Sequence, residues 1–216
     1  MKKNKFIVLE GIEGSGKSEM CFYLYKILSK NNINKVICVR QPGGTIICEK
    51  IRKIIKEEIK DDKIDKKTEI LLLYASRIQL IENKIKLYLK NDYWVICDRH
   101  NLSTMAYQIA AEKKNKTLIK KLTKMLLKNF NPYLTIYLDV LPVIGLNRIS
   151  IRGKLDRIEK KGINFFTKVR KNYLRQIKKA PNTFTINASL EKQEVKKKIK
   201  KKFIFWLKNE WKINEI

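Results

Sequence analysis

The segment Gly11-Ile12-Glu13-Gly14-Ser15-Gly16-Lys17-Ser18 matches the pattern G-x-x-x-x-G-K-[ST] at every position. Glycines at these places let the backbone curl until its N–H groups point inward at phosphate oxygens. Lys17 is then expected to reach the β- and γ-phosphates of a nucleoside triphosphate, and the Ser18 hydroxyl to ligate Mg²⁺. The loop alone does not tell a kinase from an ATPase or a GTPase. Two further groups narrow the choice. Asp98-Arg99 follows the apolar run Trp94-Val95-Ile96-Cys97, where the carboxylate can hold Mg²⁺ through water and the guanidinium can clamp a phosphate. Arg148-Ile-Ser-Ile-Arg152-Gly-Lys154-Leu-Asp156-Arg157 sets basic side chains beside a glycine, as suits a lid closing over a triphosphate. No Asn-Lys in the chain has Asp two residues on, which weighs against a guanine-recognising GTPase.

These groups need elements to position them. Phe6-Ile7-Val8-Leu9, Val36-Ile37-Cys38-Val39, Tyr93 to Cys97, Leu134 to Asp139 and Thr183 to Asn187 read as strands. Continuous apolar runs of this kind suit a parallel sheet buried on both faces. Helices are expected at roughly Lys17–Ser29, Ile46–Ile59, Thr68–Leu89, Ser103–Ala111, Lys116–Lys128, from Pro142 onward, and at Asn164–Lys178. In the tail from Leu190 to Leu207, Val195, Ile199, Phe203 and Trp206 share one face and lysines fill the other, which reads as a core helix with a solvated back. Strands alternate with helices throughout. The expected fold is α/β: a five-stranded parallel sheet flanked by helices, in one domain over residues 1–216, with a mobile basic lid at about 148–161.

Composition sets the limits. The chain has 216 residues and a 44% hydrophobic fraction, ordinary for one globular domain. No apolar run approaches the length that spans a bilayer. Glu10 interrupts the short apolar stretch at the N-terminus, so that stretch reads as a strand rather than a secretion signal, and a cytoplasmic protein is expected. The four cysteines, Cys21, Cys38, Cys48 and Cys97, have no metal-ligand spacing and read as buried free thiols. The net charge of +28 comes mostly from lysines spread along the whole chain. That distribution reads as solvated helix faces rather than a nucleic-acid patch, so specific nucleic-acid binding is not expected.

The chain resembles bacterial-type thymidylate kinases, a family of the P-loop NTPase fold. The resemblance rests on Glu10-Gly-Ile-Glu-Gly-Ser-Gly-Lys17, Arg40-Gln-Pro-Gly-Gly-Thr45, Tyr74-Ala-Ser-Arg77-Ile-Gln79, Asp98-Arg-His-Asn-Leu-Ser-Thr104, Ala106-Tyr-Gln108, Leu138-Asp-Val140 and Arg152-Gly-Lys-Leu-Asp-Arg-Ile-Glu159. It implies transfer of the γ-phosphoryl group of ATP to dTMP, giving dTDP and ADP, with Mg²⁺ as cofactor and a homodimer as the assembly. Glu13 is then expected at the deoxyribose 3′-hydroxyl, Arg77 and Thr104 at the thymine, and Tyr107 against a ribose 2′ position. Leu73 and Gln108 complete the acceptor wall. Arg99 is expected on the acceptor phosphate, Asp98 near Mg²⁺, and Arg152 as the catalytic arginine of the lid beside Lys17. Three departures stand out: Leu73 replaces an aromatic ring usual against thymine, Gln41 replaces an acidic residue common before Pro42, and Ile109-Ala110-Ala111-Glu112 replaces a glycine-rich stretch. Other readings are a P-loop kinase of another nucleotide or a deoxynucleoside, and a nucleic-acid-binding ATPase.

Overall fold

A computed structural model describes residues 4–113, 115–128 and 130–213. The basic start of the chain, Met1–Lys3, lies outside the described residues. Strands β1 (Phe6–Glu10), β2 (Val36–Arg40), β3 (Trp94–Asp98), β4 (Leu134–Asp139) and β5 (Thr183–Asn187) form one sheet in the order β2-β3-β1-β4-β5. Every pairing is parallel. β1, β3 and β4 are interior strands and nearly every residue in them is buried, which is why their sequences are continuously apolar. Side chains alternate between the faces: Ile7 and Leu9 enter one apolar cluster, Phe6 and Val8 another.

β2 lies at the edge of the sheet and is only partly covered. The reading of four buried thiols is corrected there: Cys21, Cys48 and Cys97 are buried, but Cys38 is exposed. An apolar run did not guarantee burial, because an edge strand lacks a neighbour on one side.

The helices are α1 (Lys17–Lys30), α2 (Ile46–Lys56), α3 (Lys66–Leu80), α4 (Lys86–Lys90), α5 (Asn101–Ala111), α6 (Asn115–Leu122), α7 (Pro142–Arg152), α8 (Gly162–Ile177) and α9 (Lys192–Trp211). The long helix expected over Thr68–Leu89 is present but carries a π-helical turn at Ile81–Ile85 between α3 and α4. Ile70 and Tyr74 pack in one cluster, Leu80, Ile81 and Ile85 in another, and the wider turn absorbs that change of facing. A second π turn, Thr123–Leu127, ends the helix expected over Lys116–Lys128. α2 stops at Lys56, short of the expected Ile59, because Glu57 is extended. Val195, Ile199, Phe203 and Trp206 of α9 are buried as expected, and the helix runs on to Trp211. Arg148 to Arg152 is the last part of α7, not loop; the lid proper starts at Gly153 (φ +125°) and ends in a short 3₁₀ turn, Glu159–Lys161. Among the described residues no helix is long and apolar enough to cross a membrane.

Register fixes where chemistry can occur. Leu9 pairs with Asp98 on one side and with Ile136 on the other. The turns after β1 and β3 therefore emerge side by side at the carboxyl edge of the sheet, where open α/β sheets hold ligands.

Candidate active site

The loop after β1 closes on glycine. A Cβ at Gly14 (φ +71°) would lie 2.1 Å from the Gly145 carbonyl oxygen, and one at Gly145 would lie 2.6 Å from the Glu13 carbonyl oxygen. The loop and the first turn of α7 thus touch backbone to backbone. Gly16, left-handed at φ +85°, caps α1, whose N-terminal dipole points at the loop's interior. Lys17 is buried and folds back onto the loop, donating to the Ile12 carbonyl at 2.7 Å and to Ser15 Oγ at 3.3 Å. Burial, with the charge of Arg99 nearby, lowers its pKa to about 8. The Ile12 side chain turns into the core, away from the loop's interior.

Ser18 Oγ donates to Asp98 Oδ2 at 2.6 Å. Asp98 Oδ1 is buried and has no hydrogen-bond partner among the described residues. A hydroxyl beside a carboxylate with spare lone pairs is an oxygen donor set of the kind that fits Mg²⁺.

Arg99 has a left-handed backbone, φ +73°, which turns its side chain across the loop. Its Nη1 donates to the Gly11 carbonyl at 2.9 Å and its Nη2 to Glu13 Oε1 at 2.8 Å. The other Glu13 oxygen accepts from the Tyr107 hydroxyl, and the guanidinium lies 5.0 Å from the centre of the Tyr107 ring. Burial opposes its charge, but Tyr107, Glu13, Tyr173 and Asp98 outweigh it and hold the pKa well above the usual arginine value. Behind this group stands Glu10, fully buried at the end of β1. It accepts from the backbone N–H groups of His100 (2.8 Å) and Ser103 (3.4 Å), so a strand carboxylate caps α5. Tyr173 of α8 also donates to it at 3.0 Å.

Arg77 of α3 is buried, and its hydrogen-bonding partners are neutral. Nε donates to Gln41 Oε1 at 2.8 Å, and Nη2 donates to Thr104 Oγ1 at 2.7 Å and the His100 carbonyl at 3.1 Å. Nη1 is buried without a partner among the described residues. Gln41, expected simply to remove a charge, orients this guanidinium and meets His100 Nδ1 at 3.3 Å. Burial, then the charge of Arg77, lowers the His100 pKa to about 3, so the ring is neutral at physiological pH.

One cavity of ≈ 560 Å³ gathers the expected residues: Glu13, Lys17 and Ser18 from the loop side, Asp98 from the end of β3 and Arg99 just after it, Leu73 and Arg77 from α3, Thr104, Tyr107 and Gln108 from α5, and Arg152 from α7. Its size suits a nucleotide. Arg152 is mostly exposed and pairs with Glu159 at 2.5 Å. A second hollow of ≈ 310 Å³ lies against Gly14, Gly16, Arg148 and Leu190. Sequence reasoning missed Glu10, Gln41 and Tyr173 as supports, and Glu69 and Arg157 as an ion pair. Glu10, next to the loop, and Arg157, inside the basic segment, carried a positional signal; Tyr173 and Glu69 read as ordinary helix residues.

A phosphate loop after the first strand and a carboxylate-arginine pair at the end of its neighbour, both facing one cavity, define a P-loop phosphotransferase. Residues 9–199 match the family model described as thymidylate kinase. The chain is 50% identical over 207 residues to the thymidylate kinase of Buchnera aphidicola subsp. Acyrthosiphon pisum (strain APS), covering 96% of this chain and 98% of the relative. It is 40% identical to that of Wigglesworthia glossinidia brevipalpis, covering 97% and 100%. The solved thymidylate kinase of Ehrlichia chaffeensis superposes with a TM-score of 0.72 at 28% identity, over 92% of this chain and 97% of that one. The chain belongs to the thymidylate kinase family. It is an ATP-dependent nucleoside monophosphate kinase.

Proposed function

We propose that the chain transfers the γ-phosphoryl group of ATP to the 5′-phosphate of dTMP as one domain over residues 1–216, with Mg²⁺, acting as a cytoplasmic homodimer. The observation that carries this reading is Glu13. It is a loop residue, yet its carboxylate meets Arg99 and Tyr107 on the acceptor side, so one turn of backbone addresses both substrates.

An acceptor-phosphate oxygen attacks the γ-phosphorus in line, and the bond to the β–γ bridging oxygen breaks as ADP leaves. Little proton transfer is needed, so positioning and charge neutralisation supply most of the rate. Lys17 leaves the Ile12 carbonyl for the β- and γ-phosphates. Arg99 holds the acceptor phosphate and gives up its bond to Glu13, which is then free for the 3′-hydroxyl. Arg77 offers its unpartnered Nη1 to a carbonyl on the base edge, supported by Thr104, while Leu73 and Gln108 complete the wall. The Tyr107 ring and hydroxyl leave no room for a 2′-hydroxyl. Arg148 and Leu190 flank a hollow suited to the adenine. The Arg152 side chain, at the end of α7, swings from Glu159 to the transferring group as the lid that starts at Gly153 closes. Ser18 and Asp98 would hold Mg²⁺, which would neutralise charge on the triphosphate.

A coupled ADP-release assay with ATP, Mg²⁺ and a panel of nucleoside monophosphates tests the reading. Turnover of dTMP at least about ten-fold above dCMP, dAMP and dGMP is expected, a threshold well inside the discrimination that a hydrogen-bonding site can give. Equal turnover of all four, or phosphorylation of thymidine itself, would refute it.

A further inference from the structure

Glu69 is buried in α3, and its two oxygens serve different parts of the molecule. Gln108 Nε2, from the acceptor wall, donates to Oε1 at 2.7 Å. The Arg157 guanidinium, from the lid, donates to Oε2. Arg157 is also tied to α2: Nε and Nη2 both donate to the Ile55 carbonyl, at 2.9 and 2.7 Å. Around it Lys56 pairs with Asp156 at 2.6 Å, and Lys160 pairs with Glu58. Those contacts fasten the lid to the end of α2. The contact with Glu69 fastens it to the acceptor pocket.

A carboxylate held at both oxygens, away from water, transmits a displacement at one oxygen to the other. Gln108 is almost fully buried, so a base seated against it fixes its amide and thereby Glu69. Lys161 adds a consequence: it lines the same cavity, and its ammonium feels both the Glu69 carboxylate and the Arg157 guanidinium. With Glu69 neutralised, two cations face each other across the vacated carboxylate and push the lid outward.

We propose that Glu69 is a positioning residue that couples filling of the acceptor pocket to seating of the lid, through Gln108 on one side and Arg157 on the other. The inference rests on dTMP being the acceptor. Coupling of this kind is reciprocal: if the acceptor seats the lid, a triphosphate under the lid must tighten the acceptor by the same factor.

The experiment uses the full chain. Calorimetry measures dTMP binding with and without a non-hydrolysable ATP analogue, and the ratio of the two Kd values is the coupling factor. Wild type is expected to give a factor of about 10. Glu69→Gln should bring it to about 1 while changing dTMP affinity in the absence of the analogue by less than about three-fold. Because Glu69→Gln alters a buried residue, Arg157→Gln, at the better exposed partner, is measured beside it with the same expectation. Amide exchange adds a readout that loss of packing alone does not give: dTMP by itself should slow exchange of the Ile158 and Glu159 N–H groups in wild type and in neither variant. A wild-type factor of 1, or an unchanged factor in either folded variant, overturns the inference and leaves dTMP kinase activity standing. Failure of wild type to bind dTMP overturns both.

Discussion

Lys17 should take up a proton when a triphosphate binds above neutral pH. Its pKa of about 8 in the free site follows from burial and from Arg99; Asp98, Glu13 and Glu10 pull the other way without prevailing. A depressed pKa means that the ammonium is disfavoured in the empty site and released as pH rises through that value. At pH 8.5 only about a quarter of the side chains then carry the proton, against about nine-tenths at pH 7. A triphosphate within reach restores a pKa above 10 or so, because several negative oxygens replace the Ile12 carbonyl. Binding should therefore take up about 0.7 proton at pH 8.5 and about 0.1 at pH 7. Calorimetry of a non-hydrolysable ATP analogue in two buffers of different ionisation heat measures this directly. Lys17→Arg is the control, since arginine keeps the charge and does not titrate in this range. Uptake no larger at pH 8.5 than at pH 7, or uptake that survives in Lys17→Arg, would falsify the assignment of the cation to Lys17.

Three further outcomes follow from the geometry. Gly14→Ala sets a methyl group 2.1 Å from the Gly145 carbonyl oxygen in a left-handed backbone; chemical denaturation should show a loss of about 1–3 kcal/mol, and ATP-analogue binding should vanish while far-UV dichroism is kept. Arg152→Ala removes an exposed side chain but takes the cation from the buried Glu159 carboxylate, so stability should fall by about 1–3 kcal/mol, while kcat falls by about a thousand-fold with little change in KM for dTMP. Asp98→Asn removes the anionic oxygens from the Ser18 pair, and the Mg²⁺ concentration for half-maximal rate should rise by about ten-fold or more at fixed ATP.

The interior strands were legible because burial on both faces demands continuous apolar residues, and the phosphate loop because its backbone conformation demands glycine. Elements set by tertiary packing were less so. Cys38 sits in a run as apolar as its neighbours, and nothing in that run says that β2 ends the sheet. The π turn at Ile81–Ile85 keeps the same helical appearance in sequence while reassigning which cluster each isoleucine joins. The residues gathered in the cavity were named from motifs, but not the partners that aim them. Gln41 was read for the charge it lacks, whereas its amide oxygen directs Arg77. Glu69 and Arg157 lie 88 positions apart, so their pairing exists only once α3 and the lid are folded together.

The backbone contact between Gly14 and Gly145 has a consequence for how the molecule measures distance. Gly145, Arg148 and Arg152 recur at helical spacing along one face of α7, and Arg148 still reaches the Gly14 carbonyl at 3.4 Å. α7 is thus a ruler with its zero mark on the phosphate loop, and Arg152 stands about 10 Å along it, near the completion of a second turn. One residue added between Gly145 and Arg152 would advance that arginine by only about 1.5 Å but swing it about 100° around the helix, off the face that meets the cavity. The reach of the lid's arginine is therefore set by an integer, the number of helical residues counted from a contact that admits no side chain.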